Sequence, residues 1–225
     1  DLKCEDPLFR EQERYLRQMI FQDTIEDDYV IEPWITVKAV HEGPHGNARW
    51  GPAIDFIRSH EPGGGRKFDP SINELDDIKK LVKPYHQIDR KQTSTKVDRV
   101  CEAVGDIVEV NVDTGPEFWY FNGDISTDIA GLRGLEQLMW DMYDNPEWLH
   151  ELLVFMRDGI IAVHDQAEAA GDWTLCSHEN QAMPYAVELE DPRPNVAGVK
   201  RSDLWAYMAS QEFTLISPEM FDEFL

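Results

Sequence analysis

Cysteine is scarce in this chain of 225 residues, and long apolar runs are missing. The three cysteines, Cys4, Cys101 and Cys176, are an odd number and lie far apart, which argues against a disulfide framework and favours a reducing compartment. No run approaches the roughly 18 apolar residues of a membrane span, and the first residues do not form a charged-then-apolar leader. These absences predict a cytoplasmic protein that does not associate with membranes.

Basic residues are also in short supply. Lys and Arg number 21 against 44 Asp and Glu, which gives a net charge of -23. Such a surface repels phosphate backbones and anionic lipids, so we expect no nucleic-acid partner. The acidity itself indicates solubility or adaptation to salt more than an acidic recognition surface.

Several common catalytic motifs are missing. The chain has no Gly-x-Ser-x-Gly nucleophile elbow and no Cys-x-x-Cys pair. The Gly-rich run at 62–66 lacks both the Lys-Ser/Thr of a phosphate-binding loop and a preceding strand, which argues against nucleotide binding. His41, His45 and His60 lie in a stretch rich in Gly and Pro, where the helical spacing of a chelating pair is not expected.

The residues that are present predict an α/β fold. Hydrophobic residues make up 42% of the chain, with seven Trp, seven Tyr and ten Phe, enough for the core of a single domain. Periodicity predicts helices at 6–21, 72–82, 89–104, 132–142 and 145–171, and a long loop at 41–70. It also predicts strands at 30–40, 106–112 and 203–208, and a short buried strand at 173–176. This alternation favours a parallel sheet covered by helices. A closed (βα)8 barrel needs eight strands, so the pattern fits an incomplete barrel or an open, doubly wound sheet.

Short runs of the second half resemble one known superfamily. They are GLEQLMWDMYDNPE at 134–147, MPY at 183–185, DLW at 203–205, QE at 211–212 and ISPEMFDEF at 216–224. Over roughly residues 72–225 the chain resembles the uroporphyrinogen decarboxylase and cobalamin-dependent methyltransferase superfamily. The resemblance implies a (βα)8 TIM barrel, incomplete in this chain: a single domain with an N-terminal region at 1–71 and barrel units at 72–225.

Two differences from the motifs of this superfamily limit the functions that the resemblance implies. Uroporphyrinogen decarboxylases grip substrate carboxylates with an Arg-rich N-terminal loop, whereas the nearest cations here, Arg10, Arg14 and Arg17, have the spacing of a surface helix. The methyltransferase relatives bind zinc through a His-x-Cys pair and a later Cys, whereas Cys176-Ser177-His178 has the reverse order. Decarboxylation is therefore disfavoured, and a zinc site is left open.

The candidate site residues follow from the expected barrel. His178 and Glu179 come directly after a predicted strand, and the carboxyl ends of barrel strands feed the active site, so we expect them to be catalytic, with His178 also a weak candidate metal ligand. We expect a second set of residues to line the substrate or cofactor pocket: Trp119, Tyr185, Asp203, Trp205 and Gln211. Solvated loops or core packing would explain the same patterns without function. For Glu32 the sequence does not decide whether its side chain reaches the site.

The resemblance implies an enzyme that moves a methyl group between a methylated small molecule, a corrinoid and an acceptor. Cobalamin or another corrinoid and zinc are the cofactors it implies, with neither expected for a decarboxylase. The alternatives are a uroporphyrinogen decarboxylase-type lyase and a non-catalytic corrinoid-protein partner of the same fold. An incomplete barrel would expose apolar sheet edges, so we expect a homodimer or a longer chain.

Overall fold

The structure is a computed structural model that describes residues 1–178 and 186–224, apart from the side chain of Phe121. Within these residues the α-helices are α1 (Pro7–Asp23), α2 (Arg90–Val104), α3 (Ser126–Arg133), α4 (Leu135–Asp144), α5 (Pro146–Ala170) and α6 (Pro218–Phe224). The strands are β1 (Trp34–Lys38), β2 (Asp55–Arg58), β3 (Arg66–Asp69) and β4 (Glu109–Asp113). The chain is therefore a mixed α/β protein in which helix predominates.

Local capping explains where the predicted helices begin. The backbone N–H of Leu8 donates to Asp6 Oδ1 at 3.0 Å at the start of α1, and that of Gln92 donates to Asp89 Oδ1 at 2.8 Å at the start of α2. Each aspartate satisfies an N–H that has no partner inside its own helix. The predicted helices at 6–21, 89–104 and 145–171 are confirmed. The helix predicted at 72–82 is shorter, a 3-10 helix at Leu75–Lys80.

The helix predicted around residues 132–142 is divided into α3 and α4 at Gly134. This residue has φ +85°, a backbone conformation that only glycine adopts without strain. The turn redirects the chain, so the apolar residues on either side of it belong to two helices rather than one.

The described strands form two separate sheets. Strands β1 and β4 pair in parallel, from Trp34 opposite Glu109 to Lys38 opposite Asp113. Strands β2 and β3 form an antiparallel hairpin inside the stretch predicted to be an irregular loop. An eight-stranded barrel is not among the described elements.

Two predicted strands differ from the structure. The segment 173–176 is buried, as predicted, but makes only an isolated antiparallel bridge between Thr174 and Ala197. The strand predicted at 203–208 is wrong, because a 3-10 helix at Arg201–Asp203 is followed by irregular backbone. Its alternating pattern had no neighbouring strand with which to form a ladder in the described chain.

The chain divides into two compact units, each assembled from three stretches. The first unit comprises Asp1–Val40, Ile88–Gly115 and Ala170–Trp205, and the second comprises His41–Gln87, Pro116–Ala169 and Ala206–Leu225. The prediction of a single domain with a division at residue 71 stays a prediction. None of the described helices combines the length and the apolar character needed to cross a membrane.

Each unit has its own core. In the first unit, Leu8, Ile35, Val37 and Val100 join α1 and α2 to the parallel strands. The core of the second unit is larger and is built around two aromatic rings, Trp50 and Phe118, whose centroids lie 4.9 Å apart. Burial of these side chains supplies the main favourable term in folding.

Candidate functional site

His178 forms a hydrogen-bonded pair with Glu32 in the first unit. Its Nδ1 lies 2.7 Å from Glu32 Oε1, and its backbone N–H donates to the same oxygen at 2.8 Å. The side chains are 18% and 8% exposed, respectively. Because an ionised carboxylate can only accept a hydrogen bond, Nδ1 carries the proton. Glu32 therefore fixes both the ring orientation and the tautomer of His178.

The second ring nitrogen of His178, Nε2, is the one that Glu32 does not occupy. Its only described polar neighbour is Asp191 Oδ1, at 3.5 Å, and the side chain of Asp191 is 94% exposed. An exposed side chain at this distance makes no firm hydrogen bond and can move aside. In the neutral ring, Nε2 has a lone pair that can accept a proton from a substrate or bind a metal ion.

Tyr15, on α1, contributes a phenol to the same surroundings. Burial raises the pKa of the Tyr15 phenol, and the charges of Tyr29 and Glu32 act in the same direction. The phenol is therefore protonated at neutral pH, where it can donate a hydrogen bond but does not act as a base.

The Glu32–His178 pair lies at the amino ends of the parallel strands. Glu32 precedes the first residue of β1, Trp34, whose indole N–H donates to the carbonyl of Cys176 at 3.1 Å. At the other end, Thr174 Oγ1 donates to the side chain of Asp113, the last residue of β4, at 2.6 Å. The segment 174–178 therefore runs antiparallel to β1 and β4. The barrel rule instead predicted that His178 would lie at the carboxyl ends.

The carboxyl ends of β1 and β4 carry polar groups that satisfy one another. Asp113 Oδ1 accepts from Thr174 and from the backbone N–H of Gly115, and Thr114 Oγ1 donates to the carbonyl of Asp172 at 2.8 Å. The carboxylate of Asp172 pairs with Arg90. These groups hold the loops at this edge together, which is a structural role.

The donor set at His178 suits proton transfer better than zinc. In the part of the chain that the structure describes, no three His, Cys, Asp or Glu side chains are grouped to hold a metal ion, and a catalytic zinc site needs three protein ligands. The thiol of Cys176 is buried and lies 3.8 Å from Thr174 Oγ1. Among the described residues, His178 therefore lacks the ligand set of a zinc site.

The other predicted site residues are spread over both units. Asp203, exposed beside Ser202, and half-buried Trp205 belong to the first unit, as His178 does. Half-buried Trp119 and exposed Gln211 belong to the second unit. Glu179 and Tyr185 lie outside the described residues. The roles predicted for all of these residues stay predictions.

The sequence did not identify the partners of His178. Glu32 lies 146 positions from His178 in the chain, and a glutamate before a proline and a strand carries no signal of a catalytic pair. Asp191 lies in a polar, Pro-containing connection that suggests only a loop. Such long-range pairs arise from the chain path, which the local pattern does not encode.

Comparisons with protein-family models, with curated proteins and with solved structures found no match to this chain. The fold and the site define the class of protein: a mixed α/β protein with a histidine–carboxylate pair.

Proposed function

We propose that the chain is part of a corrinoid methyltransferase-like enzyme with the (βα)8-barrel organisation that the sequence resemblance implies. In this proposal the Glu32–His178 pair removes the proton of the methyl acceptor. The single observation that carries this role is the hydrogen bond that fixes Nδ1 on Glu32 and leaves Nε2 with the exposed Asp191, at 3.5 Å, as its polar neighbour among the described residues.

Methyl transfer to a thiol requires that the thiol first lose its proton, because the thiolate is the nucleophile. His178 Nε2 takes this proton, and the S–H electron pair stays on sulfur, which leaves the thiolate as the nucleophile for methyl transfer. The ring then carries a positive charge, which the Glu32 carboxylate stabilises at 2.7 Å. A corrinoid would supply the methyl group when bound, but one imidazole nitrogen and carboxylate oxygens do not identify a corrin-binding face.

The same surroundings count against the decarboxylase alternative. A substrate rich in carboxylates needs cations to bind it, whereas the two described side chains that pair with His178, Glu32 and Asp191, are both acidic. Their charge would repel such a substrate.

The experiment begins with a cobalamin-binding titration and with methyl transfer from methylcobalamin to 2-mercaptoethanol, followed by the change in cobalamin absorbance. We expect His178→Gln to lower kcat by about 10²–10⁴-fold, the usual contribution of a general base. Glu32→Gln keeps the size of the side chain but removes its charge, so we expect a smaller loss and a changed pH profile.

His60→Gln is the matched control, since His60 is an exposed histidine of the second unit. Wild-type protein that neither binds cobalamin nor transfers methyl groups would overturn the methyltransferase proposal. An active protein in which His178→Gln behaves like His60→Gln would overturn the role of the pair.

A further inference from the structure

A cavity of about 660 Å³ lies within the second unit, between α5, α6, the start of α3 and the segment 208–210. This volume lies within the range of about 300–1,000 Å³ typical of small-molecule sites. Neither Glu32 nor His178 lines this cavity, and it has no role in the mechanism above.

One wall of the cavity is apolar and open to solvent. Val154 and Ile161 project from α5, Met208 from the neighbouring segment and Phe221 from α6, and all four side chains are between 41% and 85% exposed. Apolar surface of this kind, grouped around a cavity, favours a ligand with an apolar part.

The lining of the cavity also contains a buried carboxylate that is short of hydrogen-bond donors. Asp124 is only 6% exposed. Its Oδ1 accepts from the backbone N–H of Thr127 at 3.2 Å and lies 2.8 Å from the Ser126 hydroxyl. That hydroxyl also lies 2.7 Å from the carbonyl oxygen of Ala209, and it has one hydrogen for two acceptors. No hydrogen bond reaches Asp124 Oδ2 from any described residue.

Asp124 forms no ion pair with a Lys or Arg side chain of the described residues. The guanidinium of Arg49 is paired with Asp128 through Nε and Nη2. Burial raises the pKa of Asp128 in spite of that pair, and the charge of Asp124 acts in the same direction. The neighbourhood therefore holds two buried carboxylates and one guanidinium.

Glu212, which contacts Thr127, is also short of hydrogen-bond donors. Thr127 gives its backbone N–H to Asp124 and its hydroxyl to Glu212 Oε1 at 3.1 Å. Glu212 Oε2 is buried and has no hydrogen-bond partner in the described chain. Glu212 does not line the cavity, so it adds negative charge beside Asp124 and favours a cationic ligand over an anionic one.

The balance of charge in the cavity points the same way. Asp124, Asp222 and Glu223 line it with three carboxylates, whereas Arg157 is its one guanidinium and is already paired with Asp158 at 2.7 Å. A cationic ligand therefore meets a net acidic surface, and an anionic ligand is repelled.

We propose that this cavity binds a small organic ammonium ion, with the ammonium group on Asp124 and the apolar substituent against Val154, Ile161, Met208 and Phe221. An ammonium supplies three N–H donors and a positive charge, which Asp124 lacks. The substituent covers apolar side chains that water otherwise contacts.

The test uses three probes with the same chain length, hexylammonium, 1-hexanol and hexanoate, titrated into the full chain and followed by calorimetry. We expect hexylammonium to bind at least tenfold more tightly than 1-hexanol, and hexanoate to bind most weakly. Asp124→Asn retains the acceptor oxygen without the charge and should reduce hexylammonium binding to the level of the alcohol. Glu151→Gln, an exposed carboxylate of α5 outside the cavity lining, should change nothing.

A second variant, Val154→Phe, enlarges a half-exposed side chain of the apolar wall and should weaken hexylammonium and hexanol binding together. Equal affinity of the three probes for the wild type would overturn the proposal, and so would tight hexylammonium binding that survives Asp124→Asn. No binding of any probe would also overturn it. These outcomes are read without methyl transfer, so they are independent of the proposed function.

Discussion

The ion pair between Arg133 and Asp141 allows a strong test of what stabilises the second unit. Both side chains are almost fully buried, at 3% and 0% exposure. Arg133 Nε and Nη2 donate to the two oxygens of Asp141 at 2.7 and 3.0 Å. Asp141 also accepts from the amides of Gln137 and Asn145, at 3.1 and 3.0 Å. We predict that Asp141→Asn strongly destabilises the protein.

The magnitude follows from what the substitution leaves behind. Asn at position 141 keeps the shape of the side chain, but Arg133 then holds a buried charge without a counter-ion. Breaking a buried pair in this way costs about 3–5 kcal/mol, a large part of the roughly 5–15 kcal/mol that stabilises a typical domain. With a urea slope of about 3 kcal/mol per molar, the unfolding midpoint should fall by about 1 M or more.

Urea unfolding followed by far-UV circular dichroism measures this change. Asp76→Asn is the control, because Asp76 and Lys79 form a pair whose side chains are 87% and 74% exposed, and its loss should not shift the midpoint measurably. Replacing both partners, as in Arg133→Met with Asp141→Leu, removes the unpaired charge and should recover most of the loss. A midpoint for Asp141→Asn equal to that of Asp76→Asn would refute the reasoning.

The same substitution has a predictable dependence on pH. Burial on its own would raise the pKa of Asp141, but hydrogen bonds from Arg133, Gln137 and Asn145 outweigh it and lower the pKa. A lowered pKa gives stability that is fully present above the unfolded-state pKa of about 3.9 and is lost as pH falls through the folded-state value. The difference between wild type and Asp141→Asn should therefore shrink as the pH falls below about 4.

Three further predictions concern single sites. Arg58 and Arg66 lie directly opposite each other in the β2–β3 hairpin, so Arg58→Glu should replace a repulsive cross-strand pair with an attractive one and raise the free energy of unfolding by about 0.2–1 kcal/mol. Gly131→Ala would place a methyl group 2.5 Å from Ile54 Cγ2, and this overpacking, about 1–3 kcal/mol, should exceed the gain in helix propensity and lower the melting temperature. Cys101 is the exposed cysteine, so a thiol reagent should modify one residue rapidly, and Cys101→Ser should abolish that fast phase.

The helices were the most predictable part of the fold, because their signals are local. Asp6 and Asp89 cap the helices that begin after them, and Asn145-Pro146 marks the start of α5. Each signal depends on side chains within one turn of the helix. Positions of this kind could be read from the sequence without any knowledge of tertiary structure.

The sheets were less predictable, because pairing is decided far along the chain. The β2–β3 hairpin lies in a stretch dominated by Gly and Pro, yet a turn at Gly63, with φ +74°, allows the flanking segments to pair. The segment 173–176 was recognised as buried, but its direction relative to β1 was not. A run of apolar residues reports burial and leaves strand direction open.

The direction of that segment decides where His178 lies. A strand parallel to β1 would have placed His178 at the carboxyl ends with Asp113, whereas the antiparallel path places it beside Glu32. His178, which the sequence identified as a candidate, therefore pairs with Glu32, a partner that the barrel rule does not predict. The chemistry proposed for His178 therefore depends on its hydrogen bond to Glu32 and not on a position in a barrel.

Three buried aspartates of the second unit show how burial alone fails to distinguish structure from function. Asp141 accepts four hydrogen bonds from side chains, and Asp128 accepts three, two of them from Arg49. Asp124, which is also buried, accepts from one backbone N–H and from a Ser126 hydroxyl that also contacts the carbonyl oxygen of Ala209. A buried carboxylate whose oxygens are saturated by fixed donors stabilises the fold and has no capacity left for a ligand. By this criterion Asp141 and Asp128 are structural, and Asp124 is the carboxylate in this group that a ligand would complete.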